Sequence, residues 1–168
     1  MQIIIFATGE LMNLQNIMRR LRQLLSLMAI AALAIGCGSH TAVTLVSDGK
    51  PTGTIFYGSD NCDLLSAQLL QTFLERMSGA TVPLQPLADS TQLKEGDVMI
   101  STRADIEGLT EDGAAVTTRD GHIEITGGPG KGALSGVVLL LERHLGCNYW
   151  GDNEYNAPQQ TTITLTDI

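Results

Sequence analysis

Positive charge is scarce in this sequence. Its 168 residues carry 10 Lys and Arg against 18 Asp and Glu, a formal net charge of −8. Arg19, Arg20 and Arg22 all stand near the N-terminus, so from Cys37 onward seven basic residues face seventeen acidic ones. A surface of that sign repels phosphate backbones, which argues against nucleic acid as a partner. Long apolar runs are missing too: the stretch from Leu24 to Ile35 is about a dozen residues, too short to span a bilayer. Histidine is sparse, and His40, His122 and His144 stand far apart with no H-E-x-x-H pattern, so no metal site is expected. No Ser or Cys has a base identifiable from spacing, and this gives no support to a nucleophilic enzyme.

The N-terminal region has the layout of an export signal. "MRRLRQ" from Met18 is a basic start, the Leu24 to Ile35 run is the apolar segment, and "AIGC" closes it. Gly36 followed by Cys37 resembles the lipobox of bacterial lipoproteins, which implies that Cys37 is the lipid-attachment site and residues 1–36 are removed. Ala34 stands where Leu is commonest, and an ordinary cleaved signal peptide is the other reading. Met18 opens the signal so cleanly that it is a candidate true start. The expected location is the bacterial cell envelope, lipid-anchored, with a periplasmic or secreted protein as the alternative. Residues 37–40 read as a tether and 41–168 as one domain, enough chain for a core. In that compartment Cys62 and Cys147 could oxidise. Cys62 lies at the start of one predicted helix and Cys147 just past the end of another, so parallel helices would hold the thiols too far apart to bond. Two separate buried cysteines are expected.

Along the domain, "TAVTLV" (41–46) and "TGTIFYG" (52–58) read as two strands joined by the turn "SDGKP". From Asp60 the period becomes helical. Cys62, Leu65, Leu69, Phe73 and Met77, with Leu70 and Leu74, form one face, Asp60 can cap the start, and Gly79 sits where a left-handed terminal residue is wanted. Pro83 and Pro86 limit 80–87 to an edge or bulged strand, whereas "GDVMIST" (96–102) is apolar enough for a sheet interior. Asp120-Gly121 between two alternating runs marks a hairpin over 114–128. A second helix follows through Leu134, Val137, Val138, Leu141 and Leu145, ending at Gly146. Leu139 and Leu140 make it apolar on most sides, so cover on more than one face is expected. "TTITL" (161–165) closes the chain as a last strand. The expected class is α/β: a small mixed β-sheet with two helices packed on one face.

The run "GGPGKGALSGVV" (127–138) looks like a phosphate cradle. A Walker loop needs Gly at the place of Ile125 and Ser or Thr at the place of Gly132, so that reading fails twice. Gly128-x-Gly130-x-x-Ala133 fits a dinucleotide fingerprint better, with Asp152 about 20 residues on. Yet the preceding strand belongs to a hairpin, Pro129 interrupts the turn, and no second mononucleotide half follows. No cofactor is expected; the glycines instead let the backbone turn sharply and bring the helix start close to the sheet.

"HIEITGGPGKGALSGVVLLLERHLGCNYWGDN" resembles the end of the α-glucuronidase N-terminal-like domain, and is similar to the non-catalytic N-terminal domain of β-N-acetylhexosaminidases. "SAQLLQTFLERMSGATVPL" (66–84) resembles the first helix and following strand of those domains, and the likeness runs from about residue 41 to the end. Ser135 and Val138 stand where aromatics are usual, and Lys131 where Arg is commoner. The resemblance implies a β-N-acetylhexosaminidase domain-2-like fold and an accessory role in polysaccharide breakdown. The family's catalytic carboxylates lie in a following (β/α)8 barrel of about 250 residues, absent from this sequence. A barrel domain or protein is thus the implied partner, with carbohydrate as a second; membrane contact is expected through the lipid anchor alone.

Could the chain itself hold a site? Glycoside hydrolysis needs two carboxyls at a set separation. Glu111-Asp112 are adjacent acids, but in the turn "LTEDG", where solvation is the simpler account. Tyr149, Trp150, Asp152 and Glu154 make a better surface cluster and are candidate carbohydrate contacts, although Tyr149 and Trp150 packing on the sheet end is the plainer alternative. Two further readings stay open: a small glycoside hydrolase with its site near Trp150, Asp152 and Glu154, and a lipoprotein that acts purely by protein interaction.

Overall fold

A computed structural model describes residues 42–151, 154–166 and 168. The signal segment 1–36, Cys37, the tether 37–40 and Asp152 lie outside these residues. Among the described residues the protein is α/β, with two helices, a mixed five-stranded sheet, a smaller three-stranded antiparallel sheet and a two-stranded antiparallel ribbon.

The first sequence run divides between the two larger sheets. β1 (Val43–Ser47) turns back at Asp48 and Gly49, whose φ angles of 49° and 72° suit a tight hairpin, into the two-residue β2 (Lys50–Pro51). β3 (Ile55–Tyr57) then leaves for the large sheet. The expected pairing of 41–46 with 52–58 is therefore corrected: "SDGKP" closes a hairpin on β2, and β3 pairs elsewhere. For the same reason the strands expected in a single sheet are divided between separate sheets. β10 (Ile163–Leu165) returns to pair antiparallel with β1, and Val43, Leu45, Ile163 and Leu165 enter the common core from this smaller sheet.

In the large sheet the order is β4-β3-β5-β7-β6. β4 (Leu84–Pro86) is a short edge between its prolines, as those residues require. β5 (Val98–Thr102) lies inside, parallel to β3 and to β7 (His122–Gly127). β6 (Ala114–Arg119) pairs antiparallel with β7 across Asp120 and Gly121, at φ 47° and 79°.

α1 (Asn61–Ser78) starts where Asp60 accepts from the Cys62 N–H at 2.7 Å and stops where Gly79 takes φ 75°. α2 (Gly132–Arg143) is shorter, with His144 at its C-terminal cap. Alternation along the strands shows that both helices cover one face. Thr102 on β5 donates to Asp63 of α1 at 2.6 Å, while Ile125, the register partner of Ile100, lies against Gly136 of α2. Ile55, Val98 and Ile123 share that face and are fully buried or nearly so. Cys62 and Cys147 are both free thiols. Cys147 is buried, its Sγ 3.4 Å from the Met77 Sδ, and burial pushes its thiol above the usual range.

Two outcomes follow. Asp60→Ala should lower the unfolding free energy by about 1 kcal/mol in a denaturant titration, and Asp60→Ser should restore most of it. Under native conditions an alkylating reagent should modify Cys62 well before Cys147, whose labelling should wait for unfolding.

Candidate functional site

Three places merit a functional test: the glycine-rich turn, the cleft at the C-terminal ends of the parallel strands, and the outer face of the helix pair.

At the turn, β7 runs into α2 with almost no space between them. A Cβ on Gly132 would lie 2.8 Å from the Gly127 Cα, and one on Gly128 would meet the Glu111 carbonyl oxygen at 2.6 Å. Neither glycine is in a left-handed conformation, so close approach is what demands them. The segment 110–113 then uses three of the donors that a phosphate could take. Gly128 N–H donates to the Gly113 oxygen at 2.9 Å, Gly130 N–H to the Glu111 oxygen at 2.8 Å, and Lys131 N–H to the Asp112 carboxylate at 2.7 Å. The helix N-terminus, ordinarily an anion site, thus has a carboxylate of its own chain in place. Asp112 was read from sequence as a solvated turn residue. It is exposed, but it also caps α2 from 19 residues upstream.

The cleft, of about 590 Å³, lies where the chain leaves β3 to one side for β4 and to the other for β5. Such reversals are where open α/β sheets commonly bind ligands. Here its walls include Asp60, Asp63 and Asp89 with Ser59, Ser101 and Thr102, and no basic side chain, which disfavours anionic ligands. Asp60 caps α1, and the buried Asp63 accepts from Thr102 and so ties the helix start to β5; two of the three acids thus have structural partners. Among the described residues no group of three His, Cys, Asp or Glu side chains is arranged to hold a metal ion. His122, isolated in sequence terms, has its Nε2 3.1 Å from Glu124 Oε1, two residues along the same face of β7. Its Nδ1 is buried and unpartnered among the described residues, at a cost of about 1–3 kcal/mol.

The outer helix face is mostly polar, with Gln68, Thr72, Glu75, Arg76, Glu142 and Arg143 exposed, but a small apolar groove and two exposed aliphatic side chains interrupt it. Leu69 and Phe73 of α1 and Val138, Leu141 and Glu142 of α2 line a small groove between the helices, together with Cys147 and Asn148. Leu65 is 63% exposed and Val138 37%. The sequence led us to expect cover over more than one face of α2; the sheet and α1 provide part of it, and Val138 is left open. Tyr155 stands beyond the groove, its ring edge-on to Phe73 and capped by the Arg76 guanidinium 3.9 Å from its centroid. Leu65 and Tyr155 were missed as surface features, since spacing alone assigned Leu65 to the buried stripe.

Of the candidate carbohydrate contacts, Tyr149 and Trp150 lie on β8 (Asn148–Gly151) and Glu154 on β9 (Glu154–Asn156), which pair as a two-stranded ribbon. Asp152 is outside the described residues. No helix among the described residues is long and apolar enough to cross a membrane. Neither protein-family models nor curated proteins give a match to this chain.

Asp112→Ala should destabilise the domain by about 1 kcal/mol through loss of the cap. Adding millimolar ATP or inorganic phosphate to the unsubstituted protein should leave its melting temperature unchanged, whereas a nucleotide-binding turn would raise it.

Proposed function

We propose that this protein is a non-catalytic accessory domain of a glycoside hydrolase system for polysaccharide breakdown, anchored in the cell envelope through Cys37, with a β-N-acetylhexosaminidase domain-2-like fold. Its role is to dock a catalytic (β/α)8 barrel against the outer face of α1 and α2. The observation that carries this reading is the largely apolar groove between the helices, lined in part by the exposed Val138, together with the exposed Leu65 elsewhere on α1. Large aliphatic side chains left open beside an apolar groove on an otherwise polar helix layer favour an interaction surface. The resemblance of 66–84 and 122–153 to accessory domains that accompany such barrels supplies the kind of partner. Carbohydrate is a second ligand in the same reading, with the β8/β9 ribbon as the place for it.

The test is capture from the native envelope with the full chain as bait, followed by identification of the captured polypeptide. A glycoside hydrolase with a (β/α)8 barrel should be retained, and Leu65→Glu with Val138→Glu should weaken that retention at least tenfold. Both positions are exposed, so the variant should melt within a few degrees of the parent. Retention of no barrel protein, or equal retention by the variant, would refute the reading.

A further inference from the structure

The two edges of the five-stranded sheet are built differently. β4 is three residues long and sits between Pro83 and Pro86, so it offers little to another strand. β6 has none of these devices. It runs six residues, "AAVTTR", pairs with β7 in unbroken register, contains no proline, and has Arg119 at its very end as its lone charge. The two-residue turn makes Arg119 and His122 a hydrogen-bonded pair, and alternation then assigns Thr117 and Ala115 the same bonding toward β7. The N–H and C=O groups of Ala114, Val116 and Thr118 therefore point away from the sheet. Among the described residues none of these backbone groups has a partner; Ile168 accepts only from the Thr118 hydroxyl, at 3.4 Å.

We infer that β6 joins two copies of this chain, strand against strand and antiparallel, about a twofold axis at Val116. The strand is complementary to itself in this register. Val116 exchanges both backbone bonds with Val116 of the second copy, and Ala114 does so with Thr118, so every outward group is paired. Ala115 and Thr117, both small and exposed, lie opposite each other on the face without helices. Arg119 faces Gly113 of the second copy, next to the acidic pair Glu111 and Asp112, rather than another Arg119. On the helix side Gly136 lies over Ala114 and Val116.

The full chain, extracted in a non-ionic detergent, should sediment as a dimer at micromolar concentration. Val116→Pro removes an N–H that β7 does not use, and should raise the dimer dissociation constant at least about tenfold while the far-ultraviolet dichroism is retained. Should that variant fail to fold, the double variant Ala115→Cys, Thr117→Cys decides. In the stated register its Cα atoms lie about 4.5 Å apart across the axis, within disulfide range. Mild oxidation should give a covalent dimer whose linked peptides join 115 to 117, and neither single variant should do so. A monomeric full chain, a link at other positions, or a link from this strand to a different protein would overturn the inference.

Discussion

The arrangement depends on backbone lying against backbone where β7 becomes α2. Gly127, Gly128 and Gly132 leave no room for side chains there, and the 110–113 segment lies across the join. Because the helix begins so close to the strand it follows, its axis is held near the sheet. Gly136 continues the contact one turn on, against Ile125 and Ala114. Ala133, Val137 and Leu140 are then fully buried beneath α2. The same closeness settles the chemistry of the turn. The Gly113 and Glu111 carbonyls and the Asp112 carboxylate accept from Gly128, Gly130 and Lys131, so a motif that looks like a phosphate cradle serves here as a packing joint.

With α2 fixed, α1 has one place to go on the same face. Asp63 anchors its start to Thr102, and Met77 meets Cys147 at its other end. The C-terminal chain adds a second tie there, as Gln159 and Gln160 donate to the Arg76 and Met77 carbonyls. Two helices held at both ends cannot rotate to hide their outward residues. Full burial of a Leu or Val is worth about 1.5–3 kcal/mol, so Leu65 and Val138 forgo a gain that the domain's own elements do not supply. A partner covering these residues would recover that burial, which is how the proposed accessory role would gain its affinity.

Much of this was legible because it is local. The Asp60 cap, the Gly79 stop, the Asp120-Gly121 hairpin and the proline-limited β4 each follow from a few adjacent residues with one favoured conformation. What escaped depends on distant pairing. β1 takes β10 as a neighbour across some 120 residues, which short β-branched runs do not encode, and so the one expected sheet is divided. The capping of Lys131 by Asp112 spans 19 residues and has no signature in either segment. Likewise, helical spacing put Leu65 with Leu69 and Phe73, but spacing gives the direction of a stripe and not where the cover over it ends. The Tyr149, Trp150 and Glu154 ribbon was partly legible: the aromatic pair stood out, while β9 left no signal because "EYN" is too short to show alternation.

Sheet geometry links the helix face to the β6 edge. A twofold axis that joins β6 to β6 antiparallel stands normal to the sheet, so the two five-stranded sheets continue as one and both helix layers lie on the same side. Both apolar grooves would then face the same way, and the face without helices, with Met99, Thr117 and Glu124, would be shared on the other side. A pair built like this presents two docking grooves at a fixed spacing. A bivalent or clustered partner would be held far more tightly than by one groove, because the second contact becomes intramolecular. A shallow groove with modest affinity is thus compatible with firm assembly, and the unprotected strand edge is a means to that end instead of an aggregation hazard.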